Sequence, residues 1–133
     1  NGKTNEVAYT GNDIKKENRF VKIKFISNVA NSAPLYFEPA VTEMTVQVGK
    51  PYNTHYVMKN NSNKQLHTTA SPSVTPGKYA EYFKKIECFC FNQQTINSGE
   101  IKDLGIQFVV DDDLPTNIGD IVLSYTMFDI LIL

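Results

Sequence analysis

Two cysteines, Cys88 and Cys90, are the residues of this chain whose type and spacing best suit metal chemistry. They lie in the apolar run 86–91, which has the character of a β-strand. Because side chains alternate across a strand, both thiols share a face with Ile86, and the opposite face carries Glu87, Phe89 and Phe91. Cα atoms two residues apart in a strand are separated by about 6.5 Å, so rotamer choice brings both sulfurs within reach of one soft ion. If the phenylalanines fill the interior, the thiols face outward, where a ligand can reach them.

Monovalent copper is the ion that this pair of thiols fits best. Soft thiolates select copper(I) over harder divalent ions, and two or three sulfur ligands satisfy it. A closed zinc site needs four ligands, and the two cysteines with His55 and His67 show no Cys-x2-Cys or His-x3-His spacing, so zinc is poorly supported. An undercoordinated site also suits a carrier, which must release its ion.

Other interpretations of Cys88 and Cys90 remain open from their spacing alone. Cysteine is often simply a buried residue, and such thiols are inert. A disulfide between the two would close a small strained ring and be readily reduced, which is the behaviour of a thiol-disulfide reductase.

The charge and the motifs of the chain exclude several classes of function. The 133 residues carry a formal net charge of -1, so no basic field favours a nucleic-acid partner. No phosphate-binding glycine loop or nucleophile motif is present, and we expect no enzyme. The residues 111–113 lack the pattern of a calcium loop and indicate a solvated turn.

Lys84 and Lys85 precede the thiols, where positive charge would lower a thiol pKa and favour an acidic partner.

Apolar alternation and turn residues predict an all-β fold. Short strands are predicted at 20–26, 35–38, 42–48, 52–59, 65–70, 86–91, 101–110 and 121–128. One short helix is predicted between Pro76 and Lys85. About seven strands and one short helix are typical of an immunoglobulin-like antiparallel β-sandwich. We expect a polar leader arm over residues 1–19 and the sandwich domain over residues 20–133. The apolar end of that domain, residues 129–133, is expected to pair as an edge strand or to pack on a neighbour.

Three methionines and two histidines are weighed as further metal ligands. Methionine in strand alternation is more often core filler than ligand. Histidines on half-exposed strands are usually solvated, although these two lie on strands that could be neighbours. We therefore nominate none of them, namely Met44, Met58, Met127, His55 and His67.

The segment Tyr82-Phe83-Lys84-Lys85-Ile86-Glu87-Cys88-Phe89-Cys90-Phe91 resembles the signature of the CtaG family of cytochrome c oxidase assembly proteins. That signature reads Tyr-Phe-x-Lys-Ile-x-Cys-Phe-Cys-Phe. The resemblance continues at 74–76, 97–100 and 123–128, and so covers roughly residues 20–128. Leu104 departs from it, because relatives carry methionine there.

The resemblance implies a copper chaperone with an immunoglobulin-like domain that delivers copper to the copper B site of cytochrome c oxidase subunit 1. It implies that Cys88 and Cys90 bind copper(I), that an upstream protein donates the copper, and that the loaded form is a copper-bridged homodimer. It also implies a single membrane-spanning helix and a third cysteine, neither of which is in residues 1–133. The expected location is the periplasmic side of a bacterial inner membrane, or the mitochondrial inner membrane facing the intermembrane space.

Overall fold

The computed structural model describes residues 19–88, 92–116 and 118–130. Within these ranges the chain forms nine strands and two short 3-10 helices. The strands are β1 (Phe20–Val29), β2 (Leu35–Pro39), β3 (Glu43–Gln47), β4 (Pro51–Asn60), β5 (Leu66–Thr75), β6 (Phe83–Cys88), β7 (Gln94–Ile96), β8 (Ile101–Val110) and β9 (Ile121–Asp129). The helices are η1 (Ala30–Ser32) and η2 (Gly77–Tyr82).

The strands form two sheets. The five-stranded sheet has the order β3-β1-β9-β5-β7, and the four-stranded sheet has the order β2-β4-β8-β6. The predicted all-β, immunoglobulin-like sandwich is thus confirmed. One pair differs from the expected antiparallel arrangement, because β1 and β9 run parallel, with Ile23 opposite Ile121 and Val29 opposite Met127. These strands lie at opposite ends of the described sequence, so no hairpin dictates their direction.

The core lies between the sheets and follows from strand alternation. In β1, Val21, Ile23 and Phe25 are buried and the residues between them are exposed, as predicted. Phe108 is fully buried in β8, and its ring lies 6.0 Å from those of Phe25 and Phe83. The Phe25–Phe108 pair joins the two sheets, and the Phe83–Phe108 pair lies within the four-stranded sheet.

Three elements differ from the sequence prediction. The predicted helix is the 3-10 helix η2 rather than two α-helical turns, η1 was not predicted, and β7 falls in a stretch interpreted as a connection. A three-residue strand such as β7 is too short to show alternation. The predicted arm over 1–19 lies outside the described residues except for Arg19, and so does most of the apolar end, 131–133.

Asn60 ties the turn between β4 and β5 to the rest of the molecule. It is fully buried, and its amide donates to the carbonyls of Lys64 (2.8 Å) and Ile96 (3.0 Å). Its side-chain oxygen accepts from the backbone N–H of Ser62 at 2.9 Å. These bonds hold the crossing from the four-stranded sheet, which contains β4, to the five-stranded sheet, which contains β5 and β7.

Candidate metal centre

The first candidate ligand, Cys88, is the last residue of β6, at the edge of the four-stranded sheet. Strand β6 pairs antiparallel with β8, and the register sets Cys88 opposite Ile106. The ladder is irregular between Phe83 and Lys85 and regular from Ile86 onward. The backbone at Cys88 therefore lies at the margin of the sandwich, held by a regular pairing with a central strand.

The faces of β6 at Ile86 and Glu87 are the reverse of those expected if Phe89 and Phe91 filled the interior. Ile86 is opposite the buried Phe108 and is packed against the core, whereas Glu87 is exposed and is opposite Gln107. Ile86 therefore points inward and Glu87 points outward, the reverse of that expectation. The physical reason is that burying the isoleucine is favourable, whereas moving a carboxylate out of water is costly.

Several predicted features of the site lie outside the described residues. These are Cys90 and the two phenylalanines, Phe89 and Phe91. Lys84 is exposed, which agrees with the expectation that its charge faces a partner. The side chain of Lys85 is not described. The assignment of Cys88 and Cys90 as metal ligands remains a prediction from the sequence.

The histidines do not lie on neighbouring strands, which corrects the sequence interpretation. His55 is in β4 of the four-stranded sheet, opposite Gly105, and His67 is in β5 of the other sheet. His67 Nδ1 lies 3.2 Å from the Thr95 hydroxyl. The pair therefore does not share a site.

The methionines are placed as predicted. Met58 and Met127 have no exposed surface, and Met44 is partly buried against the core. All three fill interior space. The nearby departure from the resemblance, Leu104, is also buried, at 3% exposure.

The acidic residues 111–113 form a turn at the surface. Their carboxylate oxygens lie within 4.8 Å of one another, and Asp112 and Asp113 are exposed. The backbone N–H of Asp113 donates to the Asp111 carboxylate at 2.9 Å. That bond is a common way to stabilise a solvated turn.

A depression on the outer face of the four-stranded sheet, which the sequence did not indicate, lies beside β6. It has a volume of about 470 Å³ and is lined by Asn53, Thr54, Glu87, Gly105, Ile106 and Gln107. Glu87 precedes Cys88 in the chain, and Ile106 is the Cα partner of Cys88. Sequence alone could not find it, because it depends on the lateral order of β4, β8 and β6.

The fold and this site define a class: a two-sheet β-sandwich with an edge strand that ends at the first cysteine of a Cys-x-Cys sequence. The sequence model of cytochrome c oxidase assembly protein CtaG/Cox11 matches residues 1–129. The chain therefore belongs to the CtaG/Cox11 family of cytochrome c oxidase assembly proteins.

Individual relatives agree with this family membership. The cytochrome c oxidase assembly protein CtaG of Brucella ovis is 34% identical over 134 residues, which cover 97% of this chain and 66% of the relative. The mitochondrial cytochrome c oxidase assembly protein COX11 of Saccharomyces cerevisiae is 38% identical over 113 residues, which cover 81% of this chain and 38% of the relative. A Nitrobacter hamburgensis CtaG is 33% identical, with 96% of this chain and 61% of the relative covered.

The chain spans 38% to 66% of the length of these three relatives. In the described residues, neither 3-10 helix has the length and apolar character needed to cross a bilayer.

Proposed function

We propose that this chain is the copper(I)-carrying domain of a chaperone that supplies the copper B site of cytochrome c oxidase subunit 1. The observation that carries the proposal is a Cys88-Phe89-Cys90 sequence, whose first cysteine is the last residue of an edge strand, in a member of an oxidase-assembly family. Cytochrome c oxidases are copper enzymes, and soft thiolates are the protein ligands that suit copper(I) in transit.

The proposed mechanism is ligand exchange with no change in oxidation state. Cys88 and Cys90 lose their thiol protons on binding, and both thiolates hold the ion. An incoming sulfur or nitrogen ligand of the recipient adds to the undercoordinated copper(I), and the two bonds to Cys88 and Cys90 then break. The protein acts as a carrier, and no substrate bond is made or broken.

The position of β6 supports such an exchange. An edge strand has a central strand on one side, here β8, and within the described residues its other side pairs with no strand. A recipient can therefore approach the end of β6 without dismantling the sheet. Lys84 lies in β6, two residues after the 3-10 helix η2 ends at Tyr82, and its exposed side chain adds a positive charge to the same edge strand.

The proposal extends to partners and location. The partners are subunit 1 as recipient, an upstream copper donor protein and a second copy in a copper-bridged dimer. A membrane-spanning helix N-terminal to this domain would hold it on the periplasmic side of the bacterial inner membrane, or in the mitochondrial intermembrane space.

A chimera tests the proposal in cells. The matching segment of yeast COX11, which is 38% identical to this chain, is replaced by this chain in a strain that lacks its own COX11. We expect assembled oxidase with copper in its copper B site, measured by metal analysis of the purified enzyme. The double variant Cys88→Ser, Cys90→Ser should give oxidase without that copper.

Met44→Leu is the matched control, since it removes a sulfur that is partly buried in the core. It should assemble oxidase as the unmodified chimera does. Normal copper in the oxidase made with the double cysteine variant would contradict the proposal.

A further inference from the structure

Two large apolar side chains lie exposed on the outer face of the four-stranded sheet, on either side of a lysine. Tyr36 in β2 is 49% exposed, and Ile101 in β8 is 61% exposed. Both are cross-strand partners of Lys59 in β4, so the three side chains form one row across the sheet. Side chains directly opposite each other on a sheet face have Cβ atoms about 5 Å apart, so this row is a compact contact surface with a positive centre.

The next row along the same strands carries the opposite charge. Glu38 and Asp103 are the cross-strand partners of Val57, and both carboxylates are exposed. Among the ion pairs formed by the described residues, none involves Lys59, Glu38 or Asp103. One face therefore presents a cation in one row and two carboxylates in the next row to whatever packs against it.

A two-fold axis brings these two rows together. When a second copy packs face to face, with the axis lying across the strands and between the two rows, each row lies over the other row of its partner. Lys59 of one copy then lies above Val57 of the other copy, between its Glu38 and Asp103 side chains. Sheets that pack face to face are about 10 Å apart, a distance that the flexible lysine side chain spans to reach a carboxylate.

The same charges disfavour the other face-to-face arrangement. An axis parallel to the strands would set Lys59 against Lys59 of the second copy, and Glu38 against Asp103. Like charges placed directly opposite each other are destabilising. The face is therefore complementary to itself in one orientation.

We propose that this chain forms a copper-independent dimer through these two rows. Tyr36 and Ile101 supply the apolar contact, and the opposite charges set the orientation. The contact covers parts of three strands, which is less than a standard protein interface, so the association is weak and reversible.

This dimer goes beyond the proposed function and does not use the candidate copper ligands. The axis crosses β8 near Lys102, whereas Cys88 is opposite Ile106 of the same strand. At the rise of a β-strand, the two copies of Cys88 are then about 26 Å apart along the strands, too far for one copper ion to join. The edge strand β6 stays open in both copies, because β2, β4 and β8 make the contact.

Sedimentation equilibrium tests the dimer by measuring the mass of the chain over a range of concentrations. All samples carry Cys88→Ser and Cys90→Ser, so that neither a disulfide nor copper can join two copies. We expect the mass to rise from one chain towards two as the concentration increases. High salt should favour dissociation, because it screens exposed ion pairs.

Two complementary variants test the charge pairing. Lys59→Glu makes each half of the contact entirely acidic, and the double variant Glu38→Lys, Asp103→Lys makes it entirely basic. Each variant should stay monomeric alone, whereas an equimolar mixture should form the dimer again, because each copy then meets the opposite charge. Lys50→Glu is the matched control: it makes the same charge change at an exposed lysine just before β4, outside the two rows, and should dimerise as the parent chain does.

A mass that stays at one chain at every concentration overturns the proposal, and so does a mixture of the complementary variants that stays monomeric. A dimer that Lys59→Glu leaves intact would assign the contact to another face. A monomeric chain whose Tyr36 and Ile101 amide signals shift with phosphatidylcholine vesicles would assign the face to a membrane surface, which also overturns the proposal. Copper(I) titration of the unmodified chain is a separate measurement, and its failure would refute the carrier function without altering the measured masses.

Discussion

Tyr56 and Tyr125 place two phenol groups between the sheets. Both side chains have no exposed surface, and their ring centroids lie 5.2 Å apart in an edge-to-face arrangement. The Tyr56 hydroxyl donates to the carbonyl of Ile26 at 3.0 Å. Burial raises the pKa of Tyr125 to about 12, and burial, with the adjacent Tyr125, raises the pKa of Tyr56 further. The core therefore keeps both phenols protonated.

Because of these two tyrosines, we expect the free energy of unfolding to fall at high pH. Above pH 10, the ordinary pKa of tyrosine, the unfolded chain releases both protons while the folded protein retains them, so proton release favours unfolding. Between pH 10 and pH 12, urea denaturation should show the unfolding free energy falling by up to about 1.4 kcal/mol per pH unit for each tyrosine. Tyr125→Phe should roughly halve this slope, and Tyr36→Phe, at an exposed position, should leave it unchanged. A slope that Tyr125→Phe does not alter would contradict this account.

Residue-level prediction succeeded where local pattern decides burial and failed where distant strands decide it. The methionines follow strand alternation, and their burial was predicted. Asn60 lies in the sequence Asn60-Asn61-Ser62-Asn63, which is typical of an exposed turn. Its burial depends on the carbonyl of Ile96, 36 residues away, which local sequence does not reveal.

At the scale of the element, β6 shows what alternation can and cannot predict. Alternation separates Ile86 from Glu87 correctly, but it does not say which face is interior. The sequence argument weighted Phe89 and Phe91, whereas the pairing with β8 sets Ile86 against the buried Phe108. Cross-strand pairing is a long-range property and is not contained in the strand's own sequence.

The inward face of β6 can be tested by a pair of substitutions. Ile86→Asp places a charge against the core and should lower the unfolding free energy by about 2 kcal/mol or more. Glu87→Ala, at the adjacent exposed position, should change it by no more than about 0.5 kcal/mol. Urea denaturation of both variants measures the difference. A larger loss at Glu87 than at Ile86 would reverse the assignment of the faces.

For the whole molecule, composition and strand pattern predicted the two-sheet sandwich, and the motif at 82–91 predicted the family. They did not predict that β1 and β9 lie side by side and parallel. That pairing joins residues about a hundred positions apart, such as Phe25 and Leu123, and sequence pattern carries no information on such pairs. The lateral order of strands likewise sets which side chains surround the end of β6, and so decides the surroundings of the candidate site.

The central claim is that the Cys88 and Cys90 thiolates hold copper(I). The most direct measurement is an anaerobic titration of the reduced chain with copper(I) against a competing chelator, with mass and free thiols followed in parallel. The unmodified chain should bind stoichiometric copper and lose both free thiols, and a rise in mass on loading would reveal the copper-bridged dimer. The double variant Cys88→Ser, Cys90→Ser should bind none, and Met44→Leu should bind as the unmodified chain does. Equal copper binding by the double variant, or metal-free thiol-disulfide turnover by a chain that ignores copper, would contradict the claim.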